Sequence, residues 1–114
     1  MDLDFFAKFE KVRAEKRKKG LEYATAKGLS WQMQKLEGII LARKTKELIG
    51  QGMAVGRAEV EAKASAEYEA HVLGTAEAIR EEHTKRAEYE NLESHFEELR
   101  SLCSLEKSTR NLEG

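Results

Sequence analysis

The chain has 114 residues, of which 36% are charged, 40% are hydrophobic and none is proline. Many of the hydrophobic residues are alanine, so large side chains are too few for a thick globular core. The composition is typical of long helices and coiled coils, and no alternating run of β-branched and aromatic residues predicts a strand. We therefore predict an all-α protein that completes its apolar burial with further copies or with a partner.

The net charge of −1 is divided unevenly along the chain. Residues 1–50 hold 12 Lys/Arg and 7 Asp/Glu, whereas residues 51–114 hold 8 Lys/Arg and 14 Asp/Glu. This asymmetry indicates either a basic binding end on an acidic scaffold, or two halves that pack on each other or on a neighbouring subunit.

Cys103 is the only cysteine, so an intrachain disulfide is excluded. The sequence shows no apolar stretch near the ~20 residues of a membrane span, and no signal-peptide pattern at its start. We expect a cytoplasmic protein, located in the bacterial host cytoplasm if it is phage-encoded.

Residues 1–52 are predicted to form a basic N-terminal region of two or three shorter helices. The first covers about residues 4–19, where Phe5, Phe6, Phe9 and Val12 form an apolar stripe at helical spacing. Gly20 is expected to end this helix.

Residues 21–27 are expected to form a short helix that Gly28 interrupts. Ser30 is a suitable N-cap for a further helix over residues 31–49. The sequence Gly50-Gln51-Gly52 predicts the turn that closes the region.

Residues 53–108 are predicted to form one long, acidic, coiled-coil-like helix, followed by a frayed tail at 109–114. Its apolar positions recur at steps of three and four residues. Between Ile79 and Tyr89 this stripe is poor, and His83 and Arg86 fall near the expected seam, so we predict a stutter, a kink or a polar layer there. The residues predicted to pack between subunits or within the chain are Tyr68, Val72, Ile79, Tyr89, Leu92, Phe96, Leu99 and Cys103.

No pattern in the sequence predicts catalysis. His71, His83 and His95 are each twelve residues apart, so they do not share one helix face as zinc ligands would. Cys103 continues the apolar stripe, which favours a packing role. We predict no enzymatic activity, no cofactor and no metal.

The best binding candidate is a cluster of cations near the N-terminus, which we call the basic segment. Several cations on one surface can neutralise phosphates, and Tyr23 and Trp31 could stack on unpaired bases. The alternatives are docking of a partner protein, or a solvated surface that includes weak contact with a membrane. The basic segment consists of Lys8, Lys11, Arg13, Lys16, Arg17, Lys18 and Lys19.

Several stretches carry a resemblance to a known group of proteins: the run GRAEVEAKA at residues 56–64, Glu67-Tyr68, Ala76-Glu77, and the sequence LRSLCS at residues 99–104. Over about residues 36–110 the layout resembles small helical proteins that bacteriophages encode beside recombination genes, and more distantly the recombination mediator of the T-even phages. The resemblance implies an oligomeric helical protein that binds single-stranded DNA and helps to load a recombinase onto strands coated by a single-strand-binding protein.

Two hypotheses for function follow. The first is a non-enzymatic accessory factor in phage or bacterial DNA recombination or replication, which binds single-stranded DNA, a recombinase or a single-strand-binding protein. The alternative is a structural protein, adaptor or inhibitor that binds a host protein without contacting nucleic acid, for which an acidic helix could imitate the charge of DNA.

Overall fold

The computed structural model describes residues 3–113, with side chains for residues 3–111. It contains three helices, α1 (Leu3–Gly50), α2 (Val55–Lys63) and α3 (Ala66–Glu113), and no strand within the described residues. The predicted all-α class is therefore confirmed. None of the helices in this part of the chain combines the length and the hydrophobicity of a membrane span.

The two or three shorter helices predicted before residue 52 are instead one helix of 48 residues. The prediction was wrong because it treated Gly20 and Gly28 as helix ends. A glycine costs a helix only about 1 kcal/mol relative to alanine, and the chain contains no proline that would remove a backbone hydrogen bond.

Gly20 has a packing role inside α1. A Cβ atom added there would lie 3.2 Å from Cε2 of Tyr89 on α3. The missing side chain thus lets the two helices approach closely around the tyrosine ring.

Ser30 is likewise not an N-cap. It lies inside α1, its side chain is fully buried, and its Oγ accepts a hydrogen bond from Nε2 of Gln34 at 3.0 Å. A small buried hydroxyl with a partner on the same helix satisfies its polar group without ending the helix.

The predicted turn after α1 is confirmed. Gly52 has a φ of +97°, a conformation that glycine adopts without steric cost. The amide of Gly52 donates to the carbonyl of Ile49 at 2.9 Å, and the amide of Met53 donates to the carbonyl of Leu48 at 3.1 Å. This pair of hydrogen bonds is the Schellman pattern that ends many helices.

The single helix predicted over residues 53–108 is divided at Ala64 and Ser65. The Oγ of Ser65 accepts a hydrogen bond from the amide of Tyr68 at 3.2 Å, which makes Ser65 the N-cap of α3. Glu67 and Glu69 in the first turn complement the helix dipole. The tail expected to fray at 109–114 is helical to Glu113, and Gly114 lies outside the described residues.

The chain divides into two units, which we describe separately. Unit 1 comprises Met1–Ala24 and His83–Gly114, and unit 2 comprises Thr25–Glu82. Within unit 1, the first part of α1 packs antiparallel to the last part of α3. The ring centroids of Phe9 and Phe96 lie 5.1 Å apart, and Val12 and Leu99 are buried.

The buried side chains of unit 2 are small, whereas many of its large apolar side chains are exposed and others, such as Ile40, Leu41 and Leu48, are half-buried. The carbonyl of Met33 lies 2.7 Å from Nε2 of His71, and the Tyr68 hydroxyl donates to Glu37 at 2.9 Å. The buried residues of unit 2 are Ala26, Ser30, Ala58, Ala62, Thr75 and Ala78. Its exposed large apolar residues are Leu29, Trp31, Leu36, Ile39, Ile49, Val55, Val60, Val72 and Leu73.

Candidate functional site

The seven cations of the basic segment all lie on α1 in unit 1, but three of them are held by other side chains. Lys19 Nζ donates to Glu88 Oε2 at 3.1 Å and lies 3.4 Å from Glu22 Oε2. The hydrogen bond to Glu88, followed by that to Glu22, raises the pKa of Lys19. Lys19 is therefore a structural cation and is not available to an outside anion.

Lys16 and Arg13 are also engaged within the chain. Lys16 Nζ lies 4.6 Å from the centroid of the Phe96 ring, a cation–π contact that connects the two helices of unit 1. Arg13 lies 3.8 Å from Glu10 on an exposed face of α1, and such pairs contribute little to stability.

The remaining cations, Lys8, Lys11, Arg17 and Lys18, are exposed and form no ion pair with any side chain in the described part of the chain. At 3.6 residues per turn, Lys8, Lys11 and Lys18 lie within about 80° of one another around α1 and span roughly 15 Å along it. We call these four residues the free cations. Lys8, Lys11 and Lys18 form a stripe of positive charge along α1, whereas Arg17 lies about 100° or more from each of them around the helix, and the exposed Glu15 falls within the stripe.

The arginines of α3 provide a contrast, because each is paired with a glutamate three or four residues away. The helix α1 carries twelve Lys/Arg and six Asp/Glu, whereas α3 carries six Lys/Arg and twelve Asp/Glu. The α3 pairs are Arg80–Glu77, Arg86–Glu90, Arg100–Glu97 and Arg110–Glu106. Exposed positive charge is thus concentrated on α1.

Of the stutter, kink or polar layer predicted between Ile79 and Tyr89, the structure shows a polar layer, but not at the two residues expected near the seam. Glu22 Oε2 lies 3.4 Å from Lys19 Nζ and 3.6 Å from Lys85 Nζ, and Lys85 also pairs with Glu88 at 3.7 Å. His83, one of the two residues expected there, is exposed, and so is Arg86.

The pKa of Glu22 reflects two opposed effects. Burial would raise it, but the ion pairs with Lys19 and Lys85 outweigh burial and lower it overall. The layer therefore favours the ionised carboxylate and fixes the register of α1 on α3 in unit 1.

The two aromatic candidates for base stacking have different environments. Tyr23 is stacked on Tyr89, with ring centroids 6.1 Å apart, so its ring already packs against a neighbour. Trp31 is 61% exposed, and Lys35 Nζ lies 5.6 Å from its ring centroid. Of these two candidates, Trp31 is the one with an exposed ring.

Most of the residues predicted to pack along the long helix are used within the chain. Tyr68, Tyr89 and Phe96 contact α1, and Leu99 is buried. Val72 is exposed, contrary to its place on the predicted seam. The other three residues of the predicted packing set are half-buried, namely Ile79, Leu92 and Cys103.

The histidines do not form a cluster. His71 contacts the Met33 carbonyl, and His95 Nδ1 lies 3.8 Å from Glu98. Among the described residues, no group of three or more His, Cys, Asp or Glu side chains could hold a metal ion.

Sequence reasoning missed an open groove in unit 2. A signal for it existed, because Trp31, Gln34, Gly38, Leu41 and Thr45 recur at steps of three and four residues, beside the stripe that faces α3. The groove is lined by Gly38, Leu41, Ala42, Thr45, Lys46 and Ile49 of α1 with Glu59 and Lys63 of α2.

Comparison with known proteins gives no relative: no protein-family profile, curated protein or solved structure matches the chain.

Proposed function

We propose that the protein is a non-enzymatic accessory factor that binds single-stranded DNA in phage or bacterial recombination or replication. The observation that carries the proposal is the set of free cations on α1, three of which form a stripe. These four exposed cations have no ion-pair partner among the described residues and lie on one stretch of helix, as contact with a nucleic-acid backbone requires.

The mechanism is electrostatic. Binding of phosphates to Lys8, Lys11, Arg17 and Lys18 releases the counterions that surround the strand, and this release supplies the free energy of binding. The protein makes and breaks no covalent bond. It concentrates a partner, such as a recombinase or a single-strand-binding protein, on the strand that it holds.

Charge-matched variants test the proposal. One variant replaces the four free cations with glutamine, and the control replaces Arg80, Arg86, Arg100 and Arg110 with glutamine. Both lose four positive charges, but the control cations are already paired with glutamates on α3.

The measurement is the anisotropy of a labelled oligothymidine at several salt concentrations. We expect the α1 variant to bind weakly, with a slope of log K against log salt that is shallower by about 3, since each phosphate contact on a single strand contributes about 0.7. The control should keep the slope of the unmodified protein. No binding by the unmodified protein at 50 mM salt, or equal losses in both variants, would refute the proposal.

A second candidate function has its own observation on α3. Leu102 and Leu105 are 53% and 65% exposed, and they lie on an open surface of α3 with acidic neighbours. Acidic side chains around exposed leucines suit a basic amphipathic segment of a host or phage protein. The other residues of this surface are Glu93, Ser94, Glu97, Glu98 and Ser101.

This alternative makes the protein an adaptor or inhibitor that does not contact nucleic acid. It predicts that a partner copurifies with the protein after nuclease treatment. Replacing Leu102 and Leu105 with serine should release that partner, whereas the glutamine variant of the free cations should retain it. Loss of the partner on nuclease treatment would favour the DNA-binding function instead.

A further inference from the structure

The groove of unit 2, which Lys46, Glu59 and Lys63 also line, borders a broader band of uncharged residues on α1 and α3. One side of unit 2 is formed by residues of α1 between Trp31 and Ile49 together with residues of α3 between Val72 and Ile79. Their spacing at 3.6 residues per turn places each set on one side of its helix. The contacts between the two helices place both sets on the same side of the pair. We call this surface the apolar face. Its residues are Trp31, Gln34, Gly38, Leu41, Ala42, Thr45, Ile49, Val72, Ala76 and Ile79.

None of these ten positions carries a charge, although 36% of the residues in the chain are charged. The other side of unit 2 differs, because it mixes the charged Arg43, Glu77 and Glu81 with the exposed Leu29 and Leu36. Long helices keep charges off the surfaces that they bury and place them on the surfaces that meet water. The absence of charge therefore indicates that the apolar face is covered.

We propose that the apolar face of unit 2 binds the same face of a second copy, so that two helical pairs form a four-helix bundle. Trp31 and Ile49 supply large side chains, and Gly38 and Ala42 leave a groove that receives side chains of this size. The rim of the groove carries Glu59 with Lys46 and Lys63. Because the rim carries both signs of charge, a dimer with two-fold symmetry can place the glutamate of one copy against a lysine of the other.

This interface differs from the surface expected from the sequence. Tyr68, Tyr89, Phe96 and Leu99 of the predicted seam pack within the chain, so the contact between copies lies on α1 and α3 of unit 2 instead. The proposal also assigns Trp31 to self-association, which leaves DNA binding to the free cations. It does not require the DNA-binding function to be correct.

The test is the molar mass of the purified protein by light scattering, without nucleic acid. We expect twice 13.0 kDa for the unmodified chain. Gly38→Glu should halve the mass and preserve helicity, because Gly38 has no side-chain neighbour within 4 Å and glutamate favours a helix. Ala42→Glu, at another exposed groove position, should act in the same way.

The matched control is Gly28→Glu, the same change at another open glycine of α1 that does not line the groove. It should retain the double mass. A mass of 13.0 kDa for the unmodified protein at every concentration would overturn the proposal. Equal dissociation of the Gly28 and Gly38 variants, or a Gly38 variant that retains the double mass, would also overturn it. A failure of DNA binding leaves all these outcomes unchanged, so the two proposals can fail separately.

Discussion

The two units use the same pair of helices in opposite ways. In unit 1, Phe9 meets Phe96, Tyr23 meets Tyr89, and Leu99 is 5% exposed. In unit 2 the buried side chains are alanine, serine and threonine, several large apolar side chains are half-buried, and Trp31 and Leu73 are more than 60% exposed. A helical pair can therefore be held mainly by large side chains between its helices, or by small buried ones while several large ones stay exposed.

The difference in packing between the two units bears on how each unit is stabilised. Large side chains between helices stabilise a unit without outside help, since each removes much apolar surface from water. Small side chains allow close helix approach but bury little area. A unit of the second kind gains its remaining burial from another chain. This contrast is the reason that we propose the contact between copies for unit 2 and not for unit 1.

The largest expected effect is on the packing of unit 1. Phe96→Asp should destabilise the fold by about 3–5 kcal/mol, because it removes the contact with Phe9 and places a carboxylate between the helices. Thermal denaturation followed by circular dichroism measures the change. Leu102→Asp, on an exposed position of the same helix, is the control and should cost little. Equal losses in both variants would show that Phe96 does not organise unit 1.

A smaller effect compares one glycine from each unit. Gly28→Ala should stabilise the protein by about 0.5–1 kcal/mol, because alanine favours a helix and nothing lies within 4 Å of the new methyl group. Gly20→Ala should gain less or lose stability, since its methyl group would lie 3.2 Å from the Tyr89 ring. Urea denaturation of the two variants tests this difference. An equal gain at both sites would contradict the close packing that we describe in unit 1.

The smallest expected effect is the pH dependence of the polar layer. The pKa of Glu22 is lowered in the folded protein, so its ion pairs stabilise the fold above the ordinary carboxyl pKa of 4.5, and this stability is lost as the pH falls through the folded value. The melting temperature of the unmodified protein should therefore decline more steeply below pH 4.5 than that of Glu22→Gln. Glu61→Gln, an exposed change on α2 in unit 2, should follow the unmodified curve. Parallel curves for all three proteins would show that the ion pairs of Glu22 do not stabilise the fold.

The sequence was sufficient for the helical class, for the turn at Gly52 and for a polar layer before Tyr89. These features follow from local chemistry: the absence of proline, the freedom of glycine and a gap in an apolar stripe. The break at Ser65 was also visible in principle, since a serine followed by Glu67 and Glu69 is a helix-start signal.

Other features depend on contacts that no local pattern contains. Whether Gly20 ends a helix or admits Tyr89 is decided by a residue 69 positions later in the chain. The availability of Lys19 is decided in the same way by Glu88. Residue type therefore identified the basic segment, whereas the tertiary structure separated its free cations from its structural ones.

Trp31, the only tryptophan, provides the most direct test of the division between the units. The measurement is quenching of its fluorescence by acrylamide, over a range of protein concentrations, with and without oligothymidine. We predict that Trp31 becomes less accessible to acrylamide as the protein concentration rises, and that DNA does not reduce this accessibility further. A Trp31 that stays accessible at all concentrations and is protected only by DNA would contradict this prediction, and would place the strand on unit 2.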